Sequence, residues 1–369
     1  MMLKRKISFV HVVLCLLLAE QLQGLIEEEF SGHEDEDLSQ AILEMLHINK
    51  LSVPQRTKPH PYMKLVYKFL DSKDASVFSS SEGTLVQSFR SIHDLKYRTP
   101  GWIWFNVSHL KPSMAIAELV LLRKTLHPQP LSVSIAVHSI FCNADHLTVS
   151  NPIEEKVLSL DEPPPSGFDV FNVSSALVHR VDDVVGFQFR YTDESGSLVL
   201  HEALTQSLYC LNSSSQNEPL LVVYQAQLGS AQGAPWVPDR LQRQRCNAAR
   251  KRQLLQLLAT QTYSPQHCRL HQRYIDFHSV SLDYWILQPP GFHATFCRGI
   301  CHVPTSIQHA EENTKKRYKG NETASRPVCI PQKLSSLTVM YRNDRGDVII
   351  KILKDMKAEN CVCQTNTHY

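Results

Sequence analysis

The 369-residue sequence has no H-E-x-x-H, no G-x-S-x-G and no phosphate-binding loop, so the signatures of a zinc hydrolase, a serine hydrolase or a nucleotide-binding enzyme are all missing. Its 18 histidines are scattered and form no catalytic or metal-ligating pattern, and no cofactor is implied. Past the first two dozen residues there is no apolar run near the roughly 20 residues a spanning helix needs, which argues against stable membrane insertion. Nor is there an excess of one charge: the formal net charge of +2 gives no basic footprint for nucleic acid. Basic residues outnumber acidic ones from Gln253 onward and the reverse holds before it, so the two parts could attract each other. The length allows two or three domains, and 43% hydrophobic with 20% charged residues is an ordinary globular composition.

What the sequence does contain points to export. Lys4, Arg5 and Lys6 precede the apolar run from Ile7 to Ala19, and polar residues from Glu20 to Gly24 follow, the pattern of a signal peptide over 1–24. In an oxidising compartment the cysteines read as disulfide partners. Ten are present, Cys15 leaves with the signal peptide, and six of the rest crowd into the C-terminal part. Four N-x-S/T sequons, at Asn106, Asn172, Asn212 and Asn321, agree with glycosylation in a secreted, extracellular product.

Residues 25–37 are acidic, which predicts a disordered segment. Leu38, Ile42, Met45 and Leu46 then share one helical face, which predicts an amphipathic helix over 37–51 ended by Pro54. From 61 to 225 short apolar runs such as Ile103-Trp104-Phe105, Val133-Ser134-Ile135-Ala136-Val137 and Leu220-Leu221-Val222-Val223-Tyr224 alternate with turn clusters, which predicts a β-sandwich. Residues 226–252 read as a linker carrying two basic clusters, Arg240 with Arg243 and Arg250-Lys251-Arg252. An exposed basic linker suits a proprotein convertase; cleavage after Arg252 is expected, with Arg243 as the rival site.

The last six cysteines are Cys268, Cys297, Cys301, Cys329, Cys361 and Cys363. If Cys297 bonds Cys361 and Cys301 bonds Cys363, backbone and disulfides close a small ring. The pair Cys268–Cys329 could then thread it, and Gly299, lying between two ring cysteines, would leave the opening clear. Fifteen connectivities are formally possible, four thiolates could alternatively hold zinc, and a generic disulfide-rich module is the plainer reading.

Here the residues carry a resemblance. Tyr284-Trp285-Ile286-Leu287-Gln288-Pro289-Pro290-Gly291-Phe292-His293-Ala294-Thr295-Phe296-Cys297-Arg298-Gly299-Ile300-Cys301 resembles the first-finger signature of the transforming growth factor-β superfamily. Arg326-Pro327-Val328-Cys329-Ile330-Pro331 is similar to the segment around that family's fourth knot cysteine, and Asp355-Met356 with Cys361-Val362-Cys363 to its ending. Gln87-Ser88-Phe89-Arg90-Ser91 and Phe168-Asp169-Val170 resemble the family's strand-rich propeptide shoulder.

The resemblance implies a precursor with a propeptide over 25–252 (helical arm 37–51, shoulder about 61–225, linker 226–252) and a growth-factor domain over 253–369. The mature domain would be an all-β cystine knot with two hairpin fingers and a short helical segment. The propeptide would be α+β, its amphipathic helix forming an arm that wraps the growth factor. The implied partners are type I and type II serine/threonine-kinase receptors and the chain's own propeptide. Val328 stands where the family usually has the cysteine that links two subunits, so any homodimer or heterodimer would be noncovalent, as in the oocyte growth and differentiation factors. Leu282 replaces a family tryptophan of the type I receptor contact. The 305–322 segment is too polar to bury much area against a second subunit, and it raises the alternative of a Lefty-like extracellular antagonist.

Trp285, Ile286, Leu287 and Phe292 are expected to be partly exposed on so thin a fold and, with Leu337, Met340 and Tyr341, are the candidate receptor-binding residues. Arg345-Gly346-Asp347 is an integrin-type tripeptide at a predicted hairpin tip, a third reading as an adhesion protein, although Asn343, Asp344 and Gly346 are also ordinary turn residues.

Overall fold

The computed structural model describes residues 37–48, 58–72, 83–93, 99–143, 146–178, 182–193, 195–197, 201–211, 216–225, 267–301 and 327–364. The first helix, α1, covers 37–46 and buries Leu38, Ile42, Met45 and Leu46. It stops short of the expected 51 because His47 adopts φ 60. The Ile48 N–H then donates to Leu43 O at 2.9 Å and the His47 N–H to Glu44 O at 3.1 Å. This paired closure uses the last helical carbonyls, so no later proline is needed to end the helix.

The strand-rich segment expected from residue 61 opens instead with a second helix, α2 (Pro61–Asp71). Pro61 occupies its first turn, where a missing N–H costs nothing, and the His60 side chain accepts from the Tyr62 N–H. Met63, Val66, Tyr67 and Leu70 form its buried face.

Eight strands follow: β1 (Gly83–Arg90), β2 (Ile103–Asn106), β3 (Met114–Leu122), β4 (Ser132–Asn143), β5 (His146–Ser159), β6 (Phe168–Asn172), β7 (Val184–Thr192) and β8 (Leu220–Gln225). Two short helices interrupt them, α3 (Ser174–Val178) and α4 (His201–Leu208). An antiparallel sheet in the order β2-β7-β4-β5 faces β1, β8, β3 and β6 of a larger sheet. Phe105, Ile135, Phe187, Phe189 and Tyr191 from one layer pack with Leu119, Leu121, Phe171 and Leu221 from the other. Phe171 meets Phe189 edge-on at 5.3 Å across the sandwich, a geometry that suits the ring quadrupoles. Arg123 donates to both carboxylate oxygens of Asp169 at 2.7 Å, a buried fork-to-fork pair.

The C-terminal part has β9 (Arg269–Asp276), β10 (Ile286–Gln288), β11 (Gly291–Arg298), β12 (Val328–Arg342) and β13 (Val348–Gln364). Strands β9 and β11 pair from Arg269↔Arg298 to Asp276↔Gly291. Strands β12 and β13 form a long hairpin from Val328↔Gln364 to Arg342↔Val348. The full order of the large sheet is β10-β12-β13-β1-β8-β3-β6. N-terminal and C-terminal parts are therefore one sheet, joined where β1 pairs with β13 through Gly83↔Ile352 and Gln87↔Ile349. The Ser88 hydroxyl donates to Val348 O at 3.0 Å across that seam.

Candidate functional site

The base of the two C-terminal hairpins is held by three disulfides: Cys268–Cys329, Cys297–Cys361 and Cys301–Cys363. Their Cα–Cα distances of 5.5, 5.6 and 5.6 Å lie in the ordinary disulfide range. Gly299, at φ 135, lies so close to the His267 carbonyl and the Cys268 amide that a Cβ there would overlap backbone. The chain leading into Cys268 thus passes directly beside the glycine between the other two bonds. With six cysteines paired, the close approach of Cys268, Cys301 and Cys363 is disulfide packing and offers no free thiolates to a metal.

From that base the hairpins project an apolar face, and the expectation of partial exposure needs correction. Trp285 is 4% exposed and Met340 0%, while Ile286, Phe292, Leu337 and Tyr341 are also buried and Leu287 is partly buried. The hairpins are indeed too thin to bury these residues alone; segments far away in the sequence cover them. α1 lays Leu38, Ile42, Leu43, Met45 and Leu46 against Trp285, Ile286, Phe292, Leu337 and Tyr341. Lys351 Nζ donates to Met45 O at 2.9 Å and the Tyr341 hydroxyl approaches Leu46 O at 3.5 Å. A cation on the last carbonyls of a helix complements their partial charge, and burial pushes the Tyr341 phenol up.

α2 closes the adjoining surface. Met63, Val66, Tyr67 and Leu70 pack with Met340, Val348, Ile350 and Ile352, and the Tyr67 hydroxyl donates to Thr338 O at 3.3 Å. Tyr62 and Tyr224 both donate to Glu118 Oε2, at 3.0 and 2.7 Å, tying α2 to β3 and β8. The His60 ring fixes the start of the helix. Nδ1 accepts from the Tyr62 N–H at 3.2 Å, so Nε2 carries the proton and donates to Glu218 O at 3.1 Å. Burial drives the His60 pKa down to about 4, the Glu218 hydrogen bond opposes this, and the nearby Arg90 charge adds to it. Arg90 itself pairs with Glu218.

The tripeptide Arg345-Gly346-Asp347 lies at the tip between β12 and β13. Asn343 Oδ1 accepts from the N–H groups of Arg345 and Asp347, and Gly346 adopts φ 86. Asp347 Oδ2 accepts from Asn343 Nδ2 at 2.9 Å, so the carboxylate is engaged within its own turn. Asn106 and Asn172 sit exposed at the ends of β2 and β6. Arg240, Arg243, Arg250, Lys251, Arg252, Asn212, Asn321, the 1–24 segment and the polar 305–322 stretch, with the short helical segment expected there, lie outside the described residues.

Sequence reasoning missed that Tyr67, Ser88 and Lys351 join the two parts, and that His60 holds the start of α2. One signal was available, the i, i+3, i+4, i+7 spacing of Met63, Val66, Tyr67 and Leu70.

These features define the class first: a disulfide-knotted module of paired hairpins, covered on its apolar face by helices from the same chain. Residues 267–363 match the family described as "Transforming growth factor beta like domain". The chain is 33% identical over 102 residues to Protein decapentaplegic of Drosophila pseudoobscura pseudoobscura, and 35% identical over 102 residues to Bone morphogenetic protein 2 of Tetraodon nigroviridis. Each match covers 26% of this chain, and the chain spans only 17% and 24% of the length of these two curated relatives. Residues 267–363 thus carry a transforming growth factor beta like domain, and in sequence the chain is similar to bone morphogenetic protein 2 and decapentaplegic over a stretch of domain length.

Proposed function

We propose that the chain is the precursor of a secreted growth factor that controls cell differentiation or development by assembling type I and type II serine/threonine-kinase receptors. Residues 1–24 direct export, 25–252 form the propeptide, and 253–369 form a cystine-knot ligand whose two hairpins are the fingers. A convertase cuts in the 240–252 linker, and no bond chemistry by the protein itself is involved. One observation carries this reading: Trp285, Ile286, Phe292, Leu337 and Tyr341 form a continuous apolar face, and what covers it is a helix on the far side of the basic linker. Each such side chain uncovered from a packed site exposes apolar surface worth roughly 1.5–3 kcal/mol, so the bared face needs a partner. The test is a receptor-responsive reporter in cells given either the cleaved but associated complex or the isolated 253–369 fragment. The isolated fragment should signal and the complex should signal less. A fragment that is silent alone but suppresses a known agonist would move the reading to the Lefty-like antagonist. Adhesion through Arg345-Gly346-Asp347 is the weaker reading, because Asn343 engages the Asp347 carboxylate.

A further inference from the structure

A cavity of about 360 Å³ opens at the seam between the two parts. Its N-terminal wall includes Arg90, Asn106 and His109, and its C-terminal wall is the hairpin tip Arg345-Gly346-Asp347. The cavity has a mixed wall, with Phe89, Leu220 and Val348 beside its charged groups, and it exists only while β1 and β13 are paired, since the walls come from opposite sides of that seam. Asn106 is exposed at the end of β2 and begins the sequon Asn106-Val107-Ser108. Its Oδ1 accepts from the Ser108 N–H at 3.0 Å, and its Nδ2 makes no hydrogen bond among the described residues. Asn106 thus lines the cavity with a free amide nitrogen among the described residues, and arginine, histidine and carboxylate groups share the wall.

We propose that Asn106 carries an N-linked glycan whose first sugars seat in this cavity and screen Arg345-Gly346-Asp347 for as long as the N-terminal part stays bound. In the transfer, Asn106 Nδ2 displaces the polyisoprenyl pyrophosphate from C1 of the first N-acetylglucosamine of a lipid-linked oligosaccharide. An N–C bond forms, the C–O bond breaks with its electron pair leaving on the pyrophosphate, and the amide proton passes to a base of the transferase. Sugar hydroxyls both donate and accept, so they can meet the mixed charges of the cavity without the desolvation cost that an apolar occupant would impose. The hairpin tip would then be shielded in the precursor and bare in the released domain. A protease or a receptor reading the tripeptide would find it only after the two parts separate.

The inference rests on the export reading, and the closing experiment tells the two apart. The full chain is secreted from cells, Asn106 and Asn172 occupancy is read by mass spectrometry after glycosidase release, and trypsin cleavage after Arg345 is timed in the associated complex. Asn106 should be occupied, and Asn106→Gln, Ser108→Ala and glycosidase treatment should each speed the Arg345 cut severalfold. Ser108→Ala keeps the asparagine and the backbone hydrogen bond, so agreement among the three assigns the effect to the glycan. Asn172→Gln, at the far edge of the sheet, should leave the rate unchanged. Occupancy at Asn172 but not Asn106, or an occupied Asn106 whose removal leaves the Arg345 cut unchanged, overturns this proposal alone. Bare asparagines at both positions in the secreted chain likewise overturn this proposal alone, whereas a chain that never reaches the medium overturns the export reading with it.

Discussion

Two single residues hold positions that no other side chain could take without consequence. A Cβ on Gly299 would overlap the His267 carbonyl and Cys268 amide, so Gly299→Val should block the cysteine pairing. Secretion of folded protein should fall to near zero, as judged by yield and a disulfide map; a normal yield with all three native bonds would refute the close passage. His60 is the second. Its imidazole must stay neutral, because Nδ1 accepts from the Tyr62 N–H. Its folded pKa of about 4 lies below the ordinary 6.5. Unfolded chains therefore bind the proton first as pH falls. The His60 contribution is complete above about pH 6.5 and drains away as pH drops toward 4, on the order of 3 kcal/mol in all. Arg90, Glu218, Lys58 and His93 lie around the site. His60→Asn keeps a helix-capping acceptor but cannot titrate, so its denaturation midpoint should be flatter than wild type between pH 4 and 6.5. Identical slopes would remove His60 from the account.

At the scale of elements, α1 and β1 do the joining, by different physics. α1 contributes buried apolar area. Ile42→Ala should cost about 2–5 kcal/mol of the association between the two parts, the range for a large-to-small change in a packed site, and should raise reporter activity of the cleaved complex. A complex that dissociates no more readily on a native gel would show that α1 is not the cover that matters. β1 contributes ladder hydrogen bonds. Gln87→Pro removes a backbone donor from a strand paired on both sides, so it should release the C-terminal part even with α1 intact, which size-exclusion chromatography after cleavage would detect. Elements also differ in how readable they are. α1 was visible in Leu38, Ile42, Met45 and Leu46 because its signal is local, and the hairpin tip expected at Arg345-Gly346-Asp347 lies between β12 and β13 for the same reason. The pairing of Gln87 with Ile349 leaves no local trace, because it depends on chain segments meeting across most of the sequence. The burial of Trp285 and Met340 was misjudged for that reason: their cover comes from 37–46 and 61–71, so reading the hairpins alone leaves them bare. The helix at Pro61 was hidden by the strand-rich stretch that follows it.

For the whole molecule, assembly is the open variable. Val328 is 47% exposed at the start of β12, beside the knot and clear of both covering helices. If two copies pair there, Val328→Cys should yield a covalent dimer of the 253–369 fragment on a non-reducing denaturing gel, since a disulfide needs Cα atoms within about 7 Å. The wild-type fragment should run as a monomer on the same gel. A variant that also stays monomeric would favour the antagonist reading. The shared sheet has a further consequence for whichever product is released. While β1 is in place, β13 is an interior strand; once it departs, the run Val348-Ile349-Ile350-Lys351-Ile352 becomes a border, with the backbone groups that faced β1 unpaired and only Lys351 to discourage a neighbour. Such borders recruit other strands, including copies of themselves. The freed domain would therefore be adhesive from the moment of its release, and the N-terminal part, besides keeping it silent, would be what keeps it in solution.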